Sequence, residues 1–159
     1  MSTKETSYQS PTVLAGLLKL LGVAAAVFLG AMFFRTMLMP SGPVPTPAAF
    51  EDHRPLSQAL VDAEGGPVLA YATADWCGPC KVFKSGALAD DRFTQWVASS
   101  GVTTAYIDLT SANEEGEALR IQSVPTLIYF RDGREVARKA GVMSTDALLA
   151  WLASAGGPA

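Results

Sequence analysis

The sequence predicts a mixed α/β sheet with helices on both faces, placed behind a single membrane-spanning helix. Three observations predict it. Residues 13–34 form a run of 22 with one charge, Lys19, and about 20 apolar residues suffice to cross a bilayer. Residues 40–47 (PSGPVPTP) hold four prolines and a glycine, which no helix or central strand survives. The last 112 residues then alternate helical and extended patterns in the order α-β-α-α-β-α-β-β-α, the order of a layered α/β domain.

Composition bounds the answer. A chain of 159 residues allows one ordinary domain plus a tail. Charged residues are 17% and hydrophobic ones 49%, with a mean hydropathy of +0.23. A typical soluble protein has about 25% charged residues, so the excess points to one apolar block. Two cysteines exclude a disulfide-dense scaffold and a four-cysteine zinc site. A single histidine, His53, excludes multi-histidine metal sites, and neither metal nor cofactor is expected. A net charge of −3 argues against a nucleic-acid partner.

The N-terminal segment is read as a short tail over 1–12, an anchor over 13–39 and a spacer over 40–47. Lys19 or Arg35 snorkels to the headgroups, depending on the frame chosen for the span. A cleaved signal peptide is the competing reading. It needs small residues after the apolar stretch, and Arg35-Thr36-Met37-Leu38-Met39-Pro40 is bulky and charged. Lys4 and Lys19 on the N-terminal side give a vote for a cytoplasmic N-terminus and an outward-facing domain. The spacer is stiff and extended.

Residues 48–159 carry −5, whereas the segment before them carries +2. The first expected helix is 56–64, closed by Gly65-Gly66. Residues 67–73 (PVLAYAT) form a short apolar run, read as a buried strand. Helices follow over 79–87 and 91–99, then a strand over 102–109. A helix over 113–120 has Glu114, Glu115 and Glu117 at its positive end. A strand over 126–130 ends at Asp132-Gly133, a hairpin signal, and residues 135–140 return beside it. Ser144 caps a last helix running to about Ala153. Phe83, Phe93, Trp96, Ile107, Leu127, Tyr129 and Trp151 are the expected core, and His53 is expected to be exposed and without a role.

Both cysteines fall in one hexapeptide, Trp76-Cys77-Gly78-Pro79-Cys80-Lys81, between a predicted strand and a predicted helix. Pro79 suits the first helical turn, where a missing N–H costs nothing. The Cys77 sulfur then faces free helix N–H groups. These donors favour thiolate over thiol, lowering the pKa from about 8.5 toward about 7 in comparable motifs. A thiolate attacks disulfides, and Cys80, one turn along, is placed to attack the resulting mixed disulfide. A structural disulfide, half of a zinc site and an inert buried pair are the bland alternatives.

The segment from residue 50 to 157 resembles thioredoxin. Ala74-Asp75-Trp76-Cys77-Gly78-Pro79-Cys80-Lys81 is similar to that family's active-site stretch, and Val124-Pro125-Thr126-Leu127 to its cis-proline loop. Phe130-Arg131-Asp132-Gly133 resembles the following hairpin, and Gly141 a late glycine beside the site. Residues 74–97 also resemble the C-terminal domain of the bacterial transmembrane thiol:disulfide interchange reductase.

The resemblance implies a thioredoxin fold and a redox-active Cys77–Cys80 disulfide, with Cys77 as nucleophile and Cys80 as resolver. It implies a cis Val124–Pro125 bond in a loop that, with Trp76, Gly78 and Pro79, receives an extended client. The expected activity is protein-disulfide reduction by a monomer, with disulfide-containing proteins as clients and a membrane electron donor. The expected place is the bacterial cytoplasmic membrane, with the domain on its periplasmic side. Oxidase or isomerase work, or a non-catalytic tethered binding module, are the alternatives. Two departures stand out. Tyr71 occupies the position of a buried aspartate in thioredoxins, and Thr104 that of its lysine partner. Asp75 or water is left to take the Cys80 proton.

Overall fold

The computed structural model describes residues 11–38, 44–50, 52–111 and 113–156, with the side chains of the first stretch described from Lys19 to Met32. The expected tail up to Ser10 and the part of the expected anchor and spacer from Met39 to Pro43 lie outside the described residues. The chain divides into two compact units, Met1–Ser41 and Gly42–Ala159.

Among the described residues, the first unit holds one helix, α1 (Pro11–Leu38). Its large apolar side chains Leu20, Leu21, Val23, Val27, Phe28, Leu29 and Met32 are all exposed. Among the described residues, no helix is long and apolar enough to cross a membrane.

The second unit runs α2 (Leu56–Asp62), β1 (Val68–Thr73), α3 (Gly78–Ser85), α4 (Asp91–Ser100), β2 (Thr103–Asp108), α5 (Glu114–Ala118), β3 (Thr126–Arg131), β4 (Arg134–Ala140) and α6 (Thr145–Ser154). The strands form one mixed sheet in the order β2-β1-β3-β4. β1 is parallel to β2 and antiparallel to β3, and β3 is antiparallel to β4. β1 is buried along its whole length, as a central strand covered on both faces must be. Alternation along the strands sorts side chains to two cores. Leu69, Tyr71, Leu127 and Tyr129 face α3, α4 and α6, while Val68, Ala70, Ala72 and Ile128 face α2 and the segment after α5.

Local chemistry explains the joints. Asp132 (φ 50°) and Gly133 (φ 69°) both take the left-handed conformation, the signature of the tight turn whose twist matches a hairpin. Ser144 accepts a hydrogen bond from the Ala147 N–H at 3.3 Å and caps α6. α3 stops at Ser85 rather than at the expected Ala87, because Gly86 leaves helical geometry and a 3-10 turn follows over Ala87–Ala89. α5 is shorter than the expected 113–120. Asn113 is its cap, accepting from the Gly116 N–H at 3.0 Å, and Arg120 at φ 53° turns the chain away. Phe83, Phe93, Ile107, Leu127 and Tyr129 are buried, while Trp96 and Trp151 pack half-buried against the same core.

The sheet edges differ. On β2, the Tyr106 N–H donates to the Arg54 carbonyl at 2.8 Å, so the segment before α2 covers that edge in part. β4 is exposed along most of its length, with Arg134, Glu135, Arg138 and Lys139 on it.

Candidate redox site

The site is built where β1 ends. Thr73 and Ala74 are buried, and the chain then surfaces at Asp75 and Trp76, the latter 69% exposed. The Asp75 N–H donates to the Thr110 hydroxyl at 2.9 Å, and the Cys77 N–H to the Ala74 carbonyl at 3.1 Å. These bonds fix the bend that delivers Cys77 to the N-cap of α3. Pro79 sits in the first turn, as its missing N–H allows.

Cys77 and Cys80 form a disulfide with an S–S length of 2.04 Å. The Cys80 N–H donates to the Cys77 sulfur at 3.0 Å. A free helix N–H aimed at sulfur is the device that stabilises a thiolate there once the bond is reduced. Cys77 is nearly buried and Cys80 wholly so, which places Cys77 on the approachable side. Both pack with Ala74, Leu109 and Val124.

The second wall comes from the loop before β3. The Val124–Pro125 peptide bond is cis. The Val124 carbonyl oxygen lies 3.6 Å from the Cys77 sulfur. The Thr126 hydroxyl donates to the Ser123 carbonyl at 2.7 Å, and the Gly141 N–H to the Pro125 carbonyl at 2.8 Å. Gly141 has φ 93°, a conformation that glycine adopts without strain. Trp76, Gly78, Pro79, Val124 and Pro125 therefore come together around the sulfurs. A groove of about 530 Å³ opens beside them, lined by Trp76, Leu109, Gly116, Ile121, Ser123 and Val124.

The position that the family resemblance gives to a buried acid is occupied by a phenol. Tyr71 is wholly buried between the rings of Phe50, Phe83 and Tyr106, at centroid distances of 5.4, 6.1 and 6.0 Å. Its hydroxyl, like those of Thr73 and Tyr129, makes no hydrogen bond of normal geometry. Burial pushes its pKa well above the ordinary tyrosine value, and Thr73 offsets this only in part. Tyr71 stays neutral at physiological pH and cannot serve as a base. Thr104, on β2, is half-buried and pairs with Leu69 of β1. Asp75 is exposed at the rim.

Two features were not anticipated from the residues alone. His53 is exposed as expected, yet it stacks on Tyr106 with centroids 4.4 Å apart, and its Nε2 lies 2.7 Å from the Thr46 hydroxyl. On α3, Lys84 is 7% exposed and donates from Nζ to the Tyr106 hydroxyl at 2.8 Å. The signal for Lys84 was present: it shares the inward face of α3 with Cys80, four residues earlier. Among the described residues, no group of histidine, cysteine or acidic side chains could hold a metal ion.

With this geometry in place, similarity to known proteins is specific. A family model described as a thioredoxin-like domain matches residues 55–156. The thioredoxin of Chlamydia trachomatis serovar D is 37% identical over 86 residues, spanning 53% of this chain and 78% of that protein. The thiol:disulfide interchange protein DsbD of Escherichia coli (strain K12) is 31% identical over 102 residues, which span 61% of this chain and 18% of that protein. Among solved structures, a mutant thioredoxin from Halobacterium salinarum NRC-1 aligns with a TM-score of 0.50 at 28% identity, covering 69% of this chain and 92% of that one. A thioredoxin from Thermus thermophilus shares the fold with a TM-score of 0.56 at 22% identity, covering 64% of this chain and 83% of that one.

Proposed function

The chain belongs to the thioredoxin-like domain family, and from that premise we propose that it is a membrane-tethered protein-disulfide reductase. The protein is a thioredoxin-family oxidoreductase with a Cys77–Cys80 disulfide, suited to dithiol–disulfide exchange. The observation that carries the redox reading is the disulfide at the cap of α3 beside the Val124 carbonyl.

The reaction follows from that placement. In the reduced protein, the Cys77 thiolate attacks one sulfur of a client disulfide. A Cys77–client bond forms, the client S–S bond breaks, and the second client sulfur leaves as thiolate and takes a proton. The Cys80 thiolate then attacks Cys77, closing the S–S bond and expelling the first client sulfur. Two electrons pass from the protein dithiol to the client. The groove at Trp76 and Val124 receives the client backbone, in the manner of an added extended segment.

Direction is read from the residues between the cysteines. Gly78-Pro79 resembles thioredoxin, whose potential is near about −270 mV, rather than strong oxidants near about −120 mV. Tethering is supported by the charge-poor run of residues 13–34 and by the exposed apolar side chains from Leu20 to Met32. Positive residues on the N-terminal side favour an outward-facing domain. A reductant there draws electrons from a membrane donor, because the compartment is kept oxidising.

Three measurements test this. The wild type should reduce insulin disulfides, and Cys77→Ser should abolish the activity. Cys80→Ser should accumulate clients as mixed disulfides on Cys77, identifiable by mass spectrometry. A reduction potential above about −200 mV would sink the reductase direction.

A further inference from the structure

We propose that Lys84 is the positioning residue for the resolving step, its buried ammonium stabilising the Cys80 thiolate in place of the usual acid–base machinery. The inference rests on the reading of Cys77 and Cys80 as the exchanging pair. Cys80 and Lys84 are separated by one turn of α3. Residues four apart on a helix lie one above the other, with Cβ atoms about 5–6 Å apart. A helical side chain also leans toward the N-terminus, which is the direction of Cys80 from Lys84. Both residues are inside, Cys80 at 0% and Lys84 at 7% exposure.

The amine is held rather than free. Nζ donates to the Tyr106 hydroxyl at 2.8 Å and lies 5.3 Å from the centre of the Tyr106 ring. Tyr106 is braced in turn by Tyr71 from β1 and by His53 stacked on it. These are the titratable groups that face the amine, with Cys80 on its own helix. Among the described residues no carboxylate forms an ion pair with it. A buried ammonium whose only anchor is a neutral phenol lacks an anion. When Cys77 is engaged with a client, the Cys80 thiolate supplies one. Deprotonation of Cys80 therefore requires no base beneath the site: its proton passes to solvent. Tyr71 is then tolerated at the acid position because charge is provided from α3 instead.

A lysine in the last turn of a helix also favours the helix dipole, so the test must read something that packing alone does not move. In a Cys77→Ser background, the Cys80 thiolate is titrated by its ultraviolet absorbance. With Cys77 present, the pH profile of client release from the mixed disulfide is followed by stopped flow. Lys84→Met should raise the midpoint of both by about one unit or more, the size expected for loss of a nearby opposite charge. Lys84→Arg should restore it, and Tyr106→Phe, which frees the amine, should shift it in the same direction by less. Equal midpoints in a folded Lys84→Met protein would overturn the proposal. Should that variant not fold, the wild type carries its own reading. Buried without a cation, Cys80 ionises above the ordinary cysteine value of about 8.5; we expect a midpoint at or below it, and a higher one overturns the proposal. Failure of the wild type to exchange disulfides at all would remove the functional reading, while the thiolate titration still reports on Lys84.

Discussion

At the scale of single residues, the contrast between Tyr71 and the cysteines is instructive. Cys77 and Cys80 were legible because their partners are neighbours in the chain: a strand, a proline and a helix start bracket them within a few residues. Tyr71 was legible as a departure, but not its surroundings, which come from Phe50, Phe83 and Tyr106. Its hydroxyl is buried without a normal hydrogen bond. Removing such a group while keeping the ring costs little, because the desolvation penalty disappears with it. Tyr71→Phe should therefore unfold in urea within about 1 kcal/mol of the wild type, on the stable side. Tyr71→Ala, which empties the same volume, should cost about 3–5 kcal/mol. A large loss for the phenylalanine variant would show that the hydroxyl is satisfied after all. The Lys84–Tyr106 bond was not legible, since it joins residues 22 apart in the chain through a side-chain geometry that only the packed sheet defines.

At the scale of elements, periodicity and caps located every α-helix and strand of the second unit, and the misses are at boundaries. Gly86 and Arg120 end their helices through backbone angles, which composition does not specify. The link between α4 and α6 was also invisible. Asp90 caps α4, accepting from the Arg92 N–H at 2.9 Å and pairing with its guanidinium at 3.3 Å, while Arg92 reaches Asp146 on α6 at 2.7 Å. Hydrogen bonds from Arg92 hold the Asp90 carboxyl at about 2. An unfolded aspartate titrates near about 3.9, so the folded form is favoured above that value and the advantage disappears as pH falls through 2. The carboxylate is partly exposed, so the effect is salt-sensitive. Melting temperature measured from pH 5 to pH 1.5 should show an acid-side decline that is shallower in Asp90→Asn. Identical slopes would mean that the carboxylate is not stabilised by folding.

At the scale of the whole molecule, the chain divides into two units, the first described by the apolar helix α1 and the second by the sheet domain. Among the described residues, the core clusters of the second unit begin at Ala49 and Phe50. A chain of residues 42–159 should thus fold alone, with the melting temperature and insulin-reduction rate of the full-length protein. The full chain should sediment with membranes after carbonate washing, and the shortened one should not. A shortened chain that fails to fold would place residues 1–41 in the domain's own core. The groove beside the sulfurs also belongs to this scale. Its walls, Trp76, Gly116 and Val124, come from two connections and from α5, and meet only when β1 and β3 pair.

The exposed outer strand β4 has a consequence for crowding. Chains fixed in one plane meet each other at a far higher effective concentration than chains in solution. Under those conditions an open strand edge becomes a template for chain-to-chain pairing and insoluble deposits. Arg134, Arg138 and Lys139 outnumber Glu135 on that edge, and this excess of positive charge disfavours such pairing between identical copies. A domain held beside its own neighbours can then keep its outer strand unpaired without aggregating.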